Sequence, residues 1–326
     1  MMQKSRYLIE DDFMADPAVH VFEGKLYIYP SHDRESGIPE NDNGDHFDMN
    51  DYHVFSASDI ENEPLTDHGV VLKVGDIPWA GRQLWDCDVA FKDGKYYMYF
   101  SLKDKNDIFR LGVAVSNSPE GPFIPKPDPV RGSYSIDPAV FKDNDGTHYI
   151  YFGGLWGGQL QRYKDNKALE NAFLPSGDEL ALRSRVVRLS EDMLDFAEEP
   201  RPVVILNQDG TMMKAGQENR FFEASWMHIY NGKYYFSYST GDTHLLCYAT
   251  GDNLYGPFTY QGVILTPVVG WTTHHAITEF NGKWYLFFHD CVPSGGRTWL
   301  RSLKVIKLDY NEDGTIQTIN GNENQI

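Results

Sequence analysis

Short apolar runs along this chain come in pairs, each pair separated by a tight polar turn that ends in glycine. Ala18-Val19-His20-Val21-Phe22 leads to Gly24 and then to Leu26-Tyr27. Val89-Ala90-Phe91 leads to Gly94 and then to Tyr96-Tyr97-Met98-Tyr99-Phe100, and Ala139-Val140-Phe141 leads to Gly146. Aromatic and β-branched runs of this length, joined through a glycine, predict antiparallel hairpins. The turn recurs five times, at Gly24-Lys25, Gly94-Lys95, Gly146-Thr147, Gly232-Lys233 and Gly282-Lys283, with spacings of 70, 52, 86 and 50 residues. A third apolar run follows some hairpins, as at Leu111 to Val115 and Leu245 to Ala249. Gly121-Pro122-Phe123 and Gly256-Pro257-Phe258 come next, and proline suits an unpaired outer edge because it has no amide hydrogen to give.

Each repeat also carries one polar residue just before its first strand: Asp16, Asp88, Asp137, Glu223 and His275, at 8, 6, 9, 9 and 7 residues from the glycine. Five units of three to four antiparallel strands predict an all-β fold, a five-bladed β-propeller whose innermost strands line a central channel. A solenoid is the rival, but its terminal repeats should be atypical, and here the first and last resemble the rest. One acid before a strand reads as a turn-capping residue. Several in register around one channel would repel and desolvate one another, which marks them as a functional cluster.

The chain of 326 residues reads as one domain over 1–326, since the repeats run nearly end to end. The stretch from Leu155 to Arg220 reads as long connections between blades, with a short helix near Lys167 to Ala172. Formal net charge is −18, which argues against nucleic acid or an anionic membrane as a partner. Cys87, Cys247 and Cys291 are too few and too scattered for a metal site and read as free buried thiols. The first residues contain no apolar stretch of signal-peptide length, and no run could span a bilayer. The expected address is cytoplasmic, or periplasmic if a leader was removed.

Carboxylates grouped without an activated Ser or Cys, a phosphate loop or a Cys/His cluster point to acid/base hydrolysis, of which glycosidic cleavage is the common case. Acids on different blades favour a wide separation, with room for water, and hence inversion. At these residues the chain resembles glycoside hydrolase family 43, five-bladed propellers acting on xylosides and arabinosides. The resemblance implies that Asp16, in Ala15-Asp16-Pro17-Ala18, is the general base and that Glu223, in Phe222-Glu223-Ala224-Ser225, is the general acid. Asp137, in Ile136-Asp137-Pro138-Ala139, would orient that acid and tune its pKa. His275 would hold a divalent cation, usually calcium, mostly ligated by water, although a lone histidine also reads as a satisfied core residue. Where the family shows Trp-Ala-Pro-Asp, this chain has Trp85-Asp86-Cys87-Asp88. Trp85 is then a sugar-stacking wall and Asp88 a ligand to sugar hydroxyls or channel water, with Asp86 as the alternative for that part. Arg301, preferred over Arg297, and His32 would also contact the sugar, with Phe221, Trp156, Trp226 and Trp271 as further pocket candidates.

Long connections, from Ser31 to Asp51 and from Leu155 to Arg220, are expected to rim a closed pocket. The resulting expectation is an exo-acting β-xylosidase on xylo-oligosaccharides, with α-L-arabinofuranosidase as the runner-up; the resemblance implies frequent dimers or tetramers. A sugar-binding lectin is disfavoured by the presence of all three acids. A levan- or sucrose-cleaving propeller is disfavoured because its Trp-x-Asp-Pro-Asn and Arg-Asp-Pro motifs are absent.

Overall fold

A computed structural model describes residues 4–271 and 273–322. The five predicted hairpins each open an antiparallel sheet. The first four blades begin with the strands Met14–Phe22, Ala80–Lys92, Ala139–Lys142 and Glu223–Tyr230; the first three run outward in chain order, and the fourth adds an outermost strand, Ile205–Leu206, that precedes its innermost one and lies parallel to Phe258–Leu265. The fifth begins with His275–Phe280, continues through Lys283–Asp290 and Ser302–Leu308, and takes its outermost strand, Arg6–Tyr7, from the start of the chain. The innermost strands touch their neighbours in one closed cycle, first to second to third to fourth to fifth to first. The prediction of a five-bladed propeller holds.

The helix expected near Lys167 to Ala172 is replaced by a small hairpin pairing Tyr163–Lys164 with Lys167–Ala168. The described residues include three short 3₁₀ turns, Val74–Asp76, Trp156–Gly158 and Leu160–Arg162, and no helix long and apolar enough to cross a membrane. All three cysteines are free and buried.

Tyrosines join the blades. A hydroxyl from the second strand of every blade reaches the next: Tyr29 to Pro119 O (2.9 Å), Tyr99 to Met193 O (2.7 Å), Tyr151 to Leu254 O (2.6 Å), Tyr235 to Gly314 O (2.7 Å) and, across the seam, Tyr285 to Glu61 Oε1 (2.9 Å). Each ring fills the wedge between sheets while its polar tip finds an acceptor, which an apolar ring could not do. The ring also closes through Tyr7, whose hydroxyl donates to Asp290 Oδ1 at 2.9 Å, and Asp290 forms a buried ion pair with Lys304.

Candidate active site

The innermost strands do not run smoothly to the channel mouth. Between Ala15 and Ala18 the first strand passes three steps against two on its partner, Ser31 to Tyr29; the same happens between Leu84 and Cys87 and between Glu223 and Trp226. These are β-bulges, which re-aim side chains and are frequent beside active sites. Asp16, Trp85 and Asp86 lie inside two of them, and Glu223 starts the third. Asp16 and Asp137 both have left-handed backbones, with φ of 48° and 62°, as does Ala224 next to Glu223, at 61°. Neighbouring structure has to hold residues other than glycine in that region.

The bulges open onto a cavity of about 270 Å³ lined by Asp16, Asp86, Asp137, Glu223, His274, His289 and Arg301. Arg301 donates to Asp16 Oδ1 at 2.6 Å and, through Nε and Nη2, to both oxygens of buried Asp33 at 2.8 and 2.7 Å. Ser31 donates to Asp16 Oδ2 at 2.5 Å, and the Asp16 amide donates to His289 Nδ1 at 3.2 Å. Burial is the largest influence on Asp16 and opposes its charge, but the Arg301 guanidinium, His289, His274 and the Ser31 hydroxyl together outweigh it and hold the carboxyl well below the usual carboxylate range. Asp33, without that surplus of positive charge, is pushed up by burial to about 6.

Across the cavity the balance reverses. Burial and the neighbouring Asp137 charge raise Glu223 to about 8. Asp137 is fixed by the Ala224 amide at 2.8 Å from Oδ2, and His274 Nε2 lies 3.2 Å from the same oxygen. Burial and the charges of Asp16 and Asp137 push Asp86 well above its ordinary range. Burial disfavours charge on His274, yet Asp137, Asp16 and Glu223 together raise its pKa.

Aromatic walls complete the site. Trp85 is held by its indole N–H to Phe47 O at 2.7 Å, while Trp156 faces Phe222 and Trp271 at ring distances of 5.5 and 5.7 Å. The segment 33–50 forms one side of the mouth: Thr298 donates to Glu40 Oε1 at 2.8 Å, and Gln83 donates to Gly44 O at 2.7 Å. Gly44 has φ +70°, and a Cβ there would come within 2.7 Å of the Trp85 ring.

The structure thus brings together Asp16, Asp137, Glu223, Trp85 and Arg301, with Trp156 and Trp271, as expected. Four expected pocket residues, Asp88, His32, Phe221 and Trp226, lie outside the lining, as does His275, which was expected as a cation ligand and not as a wall. Asp88 is turned behind the lining, bound to His20 Nε2 at 2.5 Å and the Val140 amide at 2.5 Å, so its lone pairs hold blades together; Asp86 takes its place in the cavity. His275 is buried and bonds Ser237 Oγ at 2.6 Å, while the adjacent His274 lines the cavity. His32 points to the opposite sheet face and pairs with Asp51 at 2.7 Å. Phe221 packs into the core below Leu180 and Met213, and Phe222 lines the site instead. Trp226 also sits outside the lining, its indole N–H bonded to Ile277 O.

A propeller whose channel mouth sets an ion-paired carboxylate against a protonated one agrees with the sequence match, which places residues 8–316 in Glycosyl hydrolases family 43. The chain belongs to glycoside hydrolase family 43. Within that family it is 75% identical over 324 residues to a xylosidase/arabinosidase of Bacteroides ovatus, covering 99% of this chain and 100% of that one. It is 61% identical to a β-xylosidase of Xylanibacter ruminicola, covering 97% and 99%. Among solved structures, a family 43 β-xylosidase/α-arabinofuranosidase from a compost metagenome, bound to xylotriose in a calcium-free form, superposes with a TM-score of 0.95 at 58% identity, covering 98% of each chain. Like these relatives, the chain is a glycoside hydrolase.

Proposed function

We propose that the protein is an exo-acting, inverting β-1,4-xylosidase that releases single xylose units from short xylo-oligosaccharides. The observation that carries this reading is the opposed protonation of Asp16 and Glu223 on two sides of one small cavity. Asp16 stays charged at neutral pH and serves as general base toward a water, while Glu223 keeps its proton and delivers it to the departing oxygen. Asp137 supplies the negative charge that keeps that proton on Glu223. Arg301 has a positioning part, since it pins the base, and Trp85 offers a face for the sugar ring.

The cavity is small, about 270 Å³. That suits one pentosyl ring rather than an open run of subsites, and the 33–50 segment and Trp156 close the sides along which a polymer would have to pass. Exo action follows. The second reading, α-L-arabinofuranosidase activity alongside, is favoured by the naming of the Bacteroides ovatus relative for both activities.

A divalent cation in the channel, calcium by the family resemblance, fits one observed feature: His275 Nδ1 is buried without a hydrogen-bond partner among the described residues. That nitrogen would be its protein ligand, with water filling the other positions. Such a cation would supply positive charge beneath the sugar site.

The test is hydrolysis of nitrophenyl β-D-xylopyranoside and α-L-arabinofuranoside, with and without chelator, and NMR of the first-formed anomer from xylobiose. Faster xyloside release and an α-xylose product are the expected results. A β-anomer product would overturn inversion, and cleavage of internal xylan bonds would overturn exo action.

A further inference from the structure

We propose that the protein carries a second metal site, for a borderline divalent cation such as Zn²⁺, at the neck of the 33–50 segment and outside the catalytic cavity. Ser31 pairs with Tyr52 on adjacent strands, so His32 stands opposite Asp51, and His53 follows two residues on along the same face. One ligand atom from each of His32, Asp51 and His53 lies within 4.8 Å of the other two. A tetrahedral ion with bonds of about 2.1 Å would set them about 3.4 Å apart, replacing the direct 2.7 Å contact of His32 Nδ1 with Asp51 Oδ1, within reach of small rotamer changes in half-buried side chains.

The surroundings match what metal-bound imidazoles require. His32 Nε2 has Asp12 Oδ2 at 3.2 Å, and His53 Nδ1 has Asp67 Oδ1 at 3.2 Å. Each histidine therefore already has a carboxylate for one ring nitrogen, the outer-sphere partner that fixes a metal-binding tautomer. Nδ1 of His32, Nε2 of His53 and an Asp51 oxygen remain as the ligand set, with water as the fourth. Two imidazoles and one carboxylate select Zn²⁺, Co²⁺ or Ni²⁺ over the oxygen-seeking Ca²⁺ and Mg²⁺. The three side chains keep 15 to 25% of their surface exposed, enough for an ion to enter.

The position gives the site a purpose. His32 is the last residue before the segment that walls the cavity, and Asp51 is the first after it. Asp33, the residue next to His32, holds Arg301. An ion there ties the two ends of the wall together one residue from the group that positions the base.

The experiment is calorimetric titration of the full chain, stripped with chelator, with Zn²⁺ and separately with Ca²⁺, comparing wild type with His53→Gln. Wild type should take up one more Zn²⁺ equivalent than His53→Gln and gain Tm on binding, while the two take up Ca²⁺ equally. Equal Zn²⁺ stoichiometry in the two proteins, or no Zn²⁺ uptake, would overturn the proposal. Co²⁺ added to wild type gives a check that needs no variant: intense visible absorption marks a four-coordinate site, and its absence also overturns the proposal.

Discussion

The innermost strands have two unlike ends. At the end away from the cavity, four of the five hairpins close through the same two-residue turn, with both central residues left-handed: Glu23 and Gly24, Asp93 and Gly94, Asn231 and Gly232, Asn281 and Gly282. This is the type I′ geometry whose twist matches that of paired strands. At the cavity end the ladders are bulged, acids replace aromatics, and left-handed φ falls on Asp16, Asp137 and Ala224, which have no glycine-like freedom. The turn end is locally self-consistent and could be exchanged between blades. The cavity end is held by long-range partners such as Arg301 and differs from blade to blade. Repetition builds the scaffold, and departures from repetition build the chemistry.

The sharpest way to break this contrast is at the bulges. Asp16→Asn should lower kcat/KM for xylosides on the order of 10⁴-fold, the upper range for losing a general base, whatever the leaving group. A loss that shrinks with better leaving groups would assign Asp16 the wrong role. Glu223→Gln should cost roughly 10²–10⁴-fold on xylobiose but much less on aryl xylosides whose leaving groups need little protonation.

Glu223 also makes a prediction about stability. Its folded pKa of about 8 stands above the ordinary 4.5, so the folded state binds the extra proton and loses stability as pH rises through that window. Glu223→Gln should therefore melt at or above the wild-type temperature at pH 8, a gain that vanishes near pH 4. A uniform drop in Tm would contradict the strained-acid picture. Less drastic is Asp137→Asn, which removes a charge that holds Glu223 up. The alkaline limb of kcat/KM, expected near pH 8 in wild type, should move to lower pH, and an unmoved limb would mean that burial alone sets Glu223.

Smallest is a matched pair of glycines. Gly44→Ala should raise KM several-fold, because the new methyl meets Trp85. Gly24→Ala, where a Cβ meets nothing within 4 Å, should cost only about 1–2 kcal/mol of left-handed strain and leave kinetics unchanged. Equal kinetic effects would erase the distinction between the two ends.

The turn end was the legible one, since a glycine followed by an aromatic strand is a local signal. The three acids were legible too, through their register and motif. Asp86 ranked only as the alternative, and His274 escaped, because the repeat was aligned on Asp88 and His275, 6 and 7 residues from their glycines. Asp86 and His274 each stand 8 residues away, in line with the 8, 9 and 9 of Asp16, Asp137 and Glu223. The distance to the turn was the usable signal: residues 8 or 9 positions before the glycine line the cavity, and those 6 or 7 before it do not. His32 was misread by one position: Ser31 points to Asp16 and bonds it, so the next residue along the strand faces away. Phe222 in place of Phe221 is again a shift of one. The bulges were invisible, since nothing local in the sequence distinguishes an extra residue from a longer strand.

The seam between the first and last blades has a kinetic meaning. Arg6 and Tyr7 pair with Val305 and Lys304, and Asp16 meets Arg301 across the same junction. During synthesis the first four blades can emerge and stack while the base lacks its cation and the ring lacks its final sheet. The catalytic centre thus cannot be complete before the fifth blade is in place, and a chain interrupted before that blade lacks Arg301 and His274 and with them a competent site.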